Sequence, residues 1–231
     1  MKKIANKSLV VVMALSLLFY SCDAVKNANN TQKGGAIGAT GGAVIGGVIG
    51  NNVGDGDNTA LGAIIGGVVG GAAGAYIGNR MDKQAKEIEQ EIPGAEVTRV
   101  GEGISVTFDE NSGVYFETNK ANINAKSQET LDKLVGIFKE YPNTNVLVEG
   151  HTDNTGADAY NMTLSKERAQ SVTSYLTGHG LASGRFTTKW YGETQPKYDN
   201  STAEGRAKNR RVELAIVANE EMKEEAAQQT N

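Results

Sequence analysis

The sequence predicts an α/β sandwich over residues 95–218, preceded by a helical hairpin over residues 34–80. Three observations support this prediction. Strand and helix patterns alternate along the C-terminal half, glycine recurs at every fourth position in the N-terminal half, and a charged segment over residues 81–94 separates the two. A stretch of about 120 residues is long enough to build its own hydrophobic core.

Each element of the sandwich has a pattern of its own. Apolar and polar residues alternate in Glu96–Val100 and in Gly103–Phe108, and this alternation predicts a hairpin. Apolar residues at helical spacing between Leu131 and Tyr141 predict a helix, which Pro142 ends. The predicted order is β-β-α-β-α-β-β, with elements at 96–100, 103–108, 128–141, 145–149, 159–177, 186–191 and 211–217.

Two polar segments flank the sandwich. The stretch MDKQAKEIE, which begins at Met81, predicts a charged helical linker over residues 81–94, and Pro93-Gly94 ends it and marks the domain boundary. From Asn219 onward the sequence is NEEMKEEAAQQTN, and we expect residues 219–231 to form a solvated, disordered tail.

The hairpin prediction rests on the glycine spacing. Glycines recur every fourth residue from Gly34 to Gly54 and again from Gly62 to Gly78, and GGAVIGGVIG and LGAIIGGVVG are copies of one unit. This period places glycine in one row along a helix, where helices can approach closely. Neither half carries a charge, and each is about 20 residues long, enough to cross a bilayer or to pack on its partner. A flexible glycine linker is the alternative, but the period and the interleaved Ile and Val disfavour it.

The N-terminus has the features of a lipoprotein signal. Lysines precede an apolar run from Leu9 to Tyr20, so residues 1–21 form the predicted signal peptide. Cys22 follows, and we expect it to carry the lipid, because the chain has no second cysteine for a disulfide; a buried thiol is the alternative. A polar tether over residues 22–33 comes next. Removal of the signal takes the net charge from −4 to −7, which disfavours nucleic acid as a partner.

A candidate binding site lies where the loop GHTDNTG, residues 150–156, leads into the second long helix. Asn161, Leu164 and Arg168 share one face of that helix. An inward guanidinium is costly unless it is paired, and Asp153 is its natural partner. An aspartate beside an arginine can hold the ammonium and the carboxylate of a zwitterion. An ion pair that only locks the loop to the helix is the alternative.

Catalytic and metal sites have little support in the sequence. His151 and His179 are the only histidines, and neither is followed by a partner at ligand spacing. Ser165 stands next to Lys166 on a helix surface, without an oriented base. The sequence therefore predicts a protein that is not an enzyme and that binds no metal or cofactor.

The motifs GHTDNTG, YNMTLSKERAQSVTSYL, YGE and GRAKNRRVEL occur in this order between about residues 112 and 217. They resemble the OmpA-like C-terminal domain that is shared with peptidoglycan-associated lipoproteins. The resemblance implies a βαβαββ domain with two helices on a mixed sheet, which binds the meso-diaminopimelate of the peptidoglycan stem peptide. It implies these ligand-binding residues: Asp153, Arg168, Asn119, Asn161, Thr155, Arg210 and Arg211. The last two belong to a basic motif whose alternative role is a surface or ion-pair arginine. Glu117 stands where the family often has Asp.

Together these features predict an outer-membrane lipoprotein, anchored through its lipid, with the C-terminal domain in the periplasm. Its expected partners are peptidoglycan, the outer membrane and, through the glycine row, other copies of itself. The predicted function is to tether the outer membrane to the cell wall. The alternative is a glycine-zipper protein that inserts into a membrane or oligomerises, and for which wall binding only sets its position.

Overall fold

The computed structural model describes residues 71–109, 112–117 and 119–229. The predicted signal peptide, the lipid-bearing Cys22, the tether and the hairpin up to residue 70 lie outside the described residues.

A mixed five-stranded sheet forms the centre of the C-terminal part, as the sequence predicts. Its strands are β1 Glu96–Val100, β2 Gly103–Phe108, β3 Thr144–Gly150, β4 Phe186–Trp190 and β5 Val212–Ala218. The spatial order is β1-β2-β5-β3-β4. Only β3 and β4 run parallel, and the helix between them makes the crossover connection that parallel neighbours require.

Five helices accompany the sheet in the described part of the chain. They are α1 Gly71–Glu91, α2 Ala125–Glu140, α3 Asp158–Gly178, α4 Ala203–Asn209 and α5 Glu220–Gln228, with a short 3-10 helix at Ser183–Arg185. The helix predicted to start at 128 begins three residues earlier, because the side chain of Asn124 accepts a hydrogen bond from the Ser127 N–H and caps it. None of the helices within 71–229 has both the length and the apolar character that a membrane span needs.

The main core lies between α2, α3 and one face of the sheet. Val146 and Val148 on β3 and Leu214 and Ile216 on β5 are fully buried there. Because side chains alternate along a strand, Leu147 and Glu149 on β3 and Ala215 on β5 point to the other face. That other face carries a separate polar cluster at one end, described below.

The linker predicted over residues 81–94 belongs to the domain instead. Helix α1 runs through the predicted boundary at residue 80, and Ile77, Met81 and Ile88 are fully buried in the main core. These residues recur at helical spacing among charged ones, so α1 is an amphipathic helix with a buried face. The charged residues that suggest a linker occupy its solvent side.

The predicted disordered tail is wrong for residues 220–228, which form helix α5. Asn219 caps it by accepting a hydrogen bond from the Met222 N–H at 3.0 Å. Met222 and Ala226, one helical turn apart, are buried, and Tyr76 on α1 donates a hydrogen bond to Glu225 at 3.3 Å. The tail packs on α1 through these two apolar residues. The many acidic residues around them make the sequence resemble a disordered segment.

Candidate functional site

The site is built at the end of β3, where the chain leaves the sheet and enters α3. The Thr152 N–H donates a hydrogen bond to the carbonyl oxygen of Gly192 at 2.8 Å, which anchors the start of the loop. Glycine is required at position 150, because a Cβ there would lie 2.2 Å from the carbonyl oxygen of Ser165. Close contact between β3 and α3 thus holds the loop and the helix in one fixed arrangement.

Asp153 lies in this loop with only 10% of its side chain exposed. Its Oδ1 accepts a hydrogen bond from the Thr155 N–H at 2.9 Å, and its Oδ2 lies 2.7 Å from Arg210 Nη1. Burial by itself raises the pKa of this carboxyl, but the hydrogen bonds from Arg210 and Thr155 outweigh burial and hold the pKa below its ordinary value. Asp153 is therefore an anion at neutral pH.

Arg168 lies on α3 and is 2% exposed. Its Nε donates to the carbonyl oxygen of Lys120 at 3.0 Å and its Nη2 to that of Glu117 at 3.3 Å, and the guanidinium lies over the ring of Phe116. Burial and the nearby charge of Arg210 lower the pKa of Arg168 to about 10, so it stays protonated at neutral pH. Among the described residues it has no carboxylate partner within ion-pair distance.

The predicted ion pair between Asp153 and Arg168 is therefore wrong in its partners. Arg210 pairs with Asp153, and Arg168 binds backbone carbonyls instead. The reason is tertiary: Arg210 directly follows α4, and the fold brings it across 57 positions of sequence to the loop. Spacing along the chain relates only the loop and α3, so it cannot reveal this contact.

The two carbonyls that Arg168 binds lie on either side of Asn119. Asn119 adopts a left-handed conformation with φ of 58°, which is uncommon for any residue other than glycine and recurs at functional sites. The amide of Asn161 has a similar positioning role on the other side of the site. It donates to the carbonyl oxygens of Asp153 and Thr155 at 3.3 and 3.2 Å, and to Glu193 Oε2 at 2.5 Å.

These groups surround a cavity of about 160 Å³. Its lining consists of Asn119, Thr152, Asp153, Thr155, Asn161, Leu164, Arg168, Arg206 and Arg210. Every predicted ligand-binding residue except Arg211 is among them. Thr152, Leu164 and Arg206 also line the cavity, although the sequence does not predict them as ligand-binding residues. Arg206 could have been found, because it stands four residues before Arg210 and so on the same helical face.

Arg211 points away from the cavity. It is 5% exposed, its Nε lies 2.6 Å from Glu213 Oε1, and its Nη2 donates to the carbonyl oxygen of Gln195 at 3.1 Å. The chain enters β5 here, where consecutive side chains point to opposite sides. The assignment of Arg211 to the ligand site is thus corrected, and its alternative role as an ion-pair arginine is the one observed.

Glu149, His151 and Glu213 form a buried cluster beside Arg211, with one ligand atom of each within 4.8 Å of the others. The sheet register places Glu149 opposite Glu213, which the sequence spacing around His151 does not indicate. Both ring nitrogens of His151 lack a hydrogen-bond partner, and burial together with the charges of Arg211 and Lys197 lowers its pKa well below the ordinary value. Arg211 already supplies a positive charge to Glu213, so we assign this cluster to the structure of the sheet.

Comparison with known proteins agrees with this geometry. Residues 115–210 match the OmpA family model. These residues form an OmpA-family domain. Residues 1–82 match a second model, that of the YMGG-like Gly-zipper, which includes the glycine row and the start of α1.

Relatives of the OmpA-family domain include named proteins of the outer membrane. The chain is 39% identical over 142 residues to "Probable lipoprotein YiaD" of Escherichia coli, which covers 61% of this chain and 64% of that protein. It is 42% identical over 120 residues to "Outer membrane porin F" of Pseudomonas aeruginosa, which covers 52% of this chain and 33% of that protein. The chain thus spans a third of the porin and less than two thirds of YiaD.

Solved structures share the fold. "The structure of the cell wall anchor of the T6SS from Pseudomonas aeruginosa" superposes with a TM-score of 0.51 and 30% identity, covering 60% of this chain and 97% of that one. A MotB-like protein from Desulfovibrio vulgaris superposes with a TM-score of 0.52 and 25% identity, covering 63% and 91%. Both likenesses span nearly the whole of the other chain, so the OmpA-family domain with its flanking elements is the shared unit.

Proposed function

We propose that the OmpA-family domain binds peptidoglycan non-covalently, by holding the free zwitterionic end of meso-diaminopimelate in the stem peptide. One observation carries the proposal: Arg168 is a nearly buried cation that lines the cavity beside Asp153 and has no acidic partner among the described residues. A buried charge of this kind is costly unless something pairs with it. A carboxylate from outside the chain is the group that fits.

The geometry assigns a task to each side chain. Backbone carbonyls engage Nε and Nη2 of Arg168, so the remaining N–H groups of its fork can donate to a carboxylate in the cavity. Asp153, kept ionised by its own hydrogen bonds, accepts from the ammonium of the same ligand. Each charge-assisted hydrogen bond contributes about 1.5–3 kcal/mol. Asn119, Thr155 and Asn161 keep the two charges at a fixed separation.

The relatives support an envelope function associated with peptidoglycan. The type VI secretion structure is called a cell wall anchor, and the relatives in sequence are called outer-membrane proteins and a lipoprotein. We propose that this chain is anchored in the outer membrane through lipid on Cys22, with the OmpA-family domain in the periplasm. Many weak contacts between two fixed surfaces then tether the membrane to the wall, because the contacts act together.

The proposed function involves no chemical reaction. Ser165 is the candidate nucleophile considered from the sequence. Its hydroxyl donates to the carbonyl oxygen of Met162 at 2.9 Å and accepts from the Gly192 N–H at 2.9 Å. The first bond lies within α3, and the second holds α3 against the loop that follows β4. A nucleophile would instead need an adjacent base, which neither partner provides.

A second candidate function is self-association through the glycine row. The match of residues 1–82 to the Gly-zipper model favours it. Replacing Gly42, Gly46, Gly66 and Gly70 by Leu should remove cross-linked oligomers from membranes that contain the protein. Oligomers that persist in the variant would exclude the row as an interface.

The wall-binding proposal is tested by titrating meso-diaminopimelate into the full-length chain in detergent micelles, and by sedimenting the chain with isolated cell-wall sacculi. We expect the parent to bind, and Asp153→Asn and Arg168→Met each to lose binding. Lys208→Gln is the matched control, because Lys208 is a cation on α4 that pairs with Glu204 away from the cavity. A parent that does not bind, or an Arg168→Met variant that binds normally, would overturn the proposal.

A further inference from the structure

The lining of the cavity carries more guanidinium groups than the single carboxylate of the proposed zwitterionic end can engage. Its lining has three guanidinium groups, on Arg168, Arg206 and Arg210, and one carboxylate, on Asp153. Asp153 pairs with Arg210 at 2.7 Å, and among the described residues no acid pairs with Arg206. A ligand end with one ammonium and one carboxylate engages Asp153 and Arg168 and leaves Arg206 without an acidic partner.

Arg206 is the guanidinium without an assigned partner. It lies on α4, and its Nη1 donates to the carbonyl oxygens of Asn200 and Ser201 at 2.8 and 3.2 Å. Among the described residues it takes part in no ion pair, and its Nε and Nη2 have no hydrogen-bond acceptor. The turn that holds it is tightly packed, since a Cβ on Gly205 would lie 1.9 Å from the carbonyl oxygen of Asp199. Arg206 is thus held in place with donors left over at the cavity.

We infer that Arg206 binds a second carboxylate of the same ligand, and that the preferred ligand is a stem peptide that ends at diaminopimelate. This inference rests on the proposed function. Diaminopimelate has two amino-acid ends: one is free and fits Asp153 and Arg168, and the other is joined through its amine to the preceding residue. The second carboxylate is ionised only where the peptide stops at this residue. A further residue or an amide cap replaces the charge by a neutral amide.

The chemistry of the other parts of peptidoglycan makes them poorer partners for Arg206. The sugar hydroxyl and acetamido groups are neutral, so they supply no negative charge to pair with the guanidinium of Arg206. A carboxylate on the same short side chain reaches the cavity at no further ordering cost, because the ligand is already fixed at its free end. A guanidinium fork also matches carboxylate geometry better than it matches an amide.

The test uses two synthetic peptides, L-Ala-γ-D-Glu-meso-diaminopimelate with its inner carboxylate free, and the same peptide with that group as a carboxamide. The two have the same size and differ in one charge. Each is titrated into the full-length chain in detergent micelles, into Arg206→Gln and into the control Lys208→Gln. We expect the parent and the control to bind the acid about tenfold or more tightly than the amide. We expect Arg206→Gln to bind both peptides equally.

The outcomes separate the inference from the proposed function. Equal binding of both peptides to the parent overturns the inference and leaves the proposed function intact. Failure of both peptides to bind overturns the proposed function itself. A preference that persists in Arg206→Gln shows that another group reads the charge and overturns the assignment to Arg206. Because Arg206 also holds the turn at residues 199–202, its variant is checked by thermal melting, and the comparison in the parent decides the ligand question without it.

Discussion

Arg210 Nη1 lies 2.7 Å from Asp153 Oδ2, so the acid that is predicted to hold the ligand's ammonium already contacts a cation of its own chain. The contact keeps Asp153 ionised in the absence of ligand. It also places a positive charge where the ammonium must approach. The charge of the proposed binding site therefore depends on a residue that lies 57 positions further along the chain.

The first prediction concerns the acid limit of ligand binding. Asp153 must be ionised to hold an ammonium, and its lowered pKa keeps it ionised until the pH falls below the ordinary range of an aspartate. Arg210→Gln removes the hydrogen bond that contributes most to this lowering, so the pKa of Asp153 should rise. Affinity for meso-diaminopimelate, measured between neutral pH and pH of about 3, should then be lost at a higher pH in the variant. If the parent and Arg210→Gln lose affinity at the same acidic pH, Arg210 does not set the charge of Asp153.

The second prediction separates binding from stability at Arg168. Burial lowers the pKa of this arginine to about 10, which means that the folded state disfavours its charge. Arg168→Met keeps the unbranched stem of the side chain but removes the charge and the hydrogen bonds to two backbone carbonyls. Relief of the buried charge opposes the loss of these bonds, so the free energy of unfolding should change by no more than about 1 kcal/mol. The same variant should lose all stabilisation by meso-diaminopimelate, which raises the melting temperature of the parent. Urea titrations with and without ligand measure both effects, and a loss of several kcal/mol without ligand would make Arg168 a structural residue.

Local patterns in the sequence predict most of the sandwich. The bounds of β1 and β2 agree with the predicted hairpin residue for residue, and α3 differs from the predicted helix by one residue at each end. Asp153, Asn161 and Arg168 also come together as predicted around one cavity, because a single loop and its helix carry them. Hydrophobic periodicity and residue spacing are sufficient to predict the structure wherever one element, or two elements adjacent in sequence, determine the geometry.

The features that the sequence does not reveal all depend on contacts between distant segments. The pairing of Asp153 with Arg210 and the position of Arg211 on the other side follow from where β5 lies in the sheet. Helices α1 and α5 are separated in sequence by the whole sandwich, and in each the buried residues stand among charged ones. The contact between the two helices therefore cannot be deduced from either segment alone.

The third prediction tests this packing of α5. Met222 is 1% exposed on α5, and Met222→Ala should lower the free energy of unfolding by about 2–5 kcal/mol, because it leaves a cavity against α1. Met162 is 36% exposed on α3, so the same substitution there should change the free energy by about 0.5 kcal/mol or less. Urea unfolding of both variants makes the comparison. Equal small effects would mean that α5 does not pack on the domain in solution.

The fourth prediction concerns two glycines with opposite surroundings. A Cβ at Gly150 would lie 2.2 Å from a backbone oxygen of α3, so Gly150→Ala must displace the helix or the strand and should cost about 1–3 kcal/mol or more. Gly136 lies inside α2 with open space around it, and Gly136→Ala should stabilise by about 0.5–1 kcal/mol. Because Gly150 also begins the site loop, its variant should bind meso-diaminopimelate more weakly, whereas Gly136→Ala should bind normally. Normal stability and binding in Gly150→Ala would contradict the close contact of β3 with α3.

The fifth prediction uses the buried His151 as a pH probe of the sheet. Burial and the charges of Arg211 and Lys197 lower its pKa well below the ordinary value, so the folded state keeps it neutral while the unfolded chain takes up a proton near pH 6.5. Below that pH the unfolded state binds more protons, and stability must fall with a slope of up to about 1.4 kcal/mol per pH unit. His151→Phe retains the stacking on Tyr191, where the ring centroids lie 5.4 Å apart, and removes the titrating group. It leaves no hydrogen bond broken, because neither ring nitrogen has a partner. The difference in unfolding free energy between parent and variant, followed from pH of about 7 down to 5, should show this slope. A difference that does not change with pH would mean that His151 takes up a proton as readily in the folded protein as in the unfolded chain, which would contradict its burial as a neutral ring.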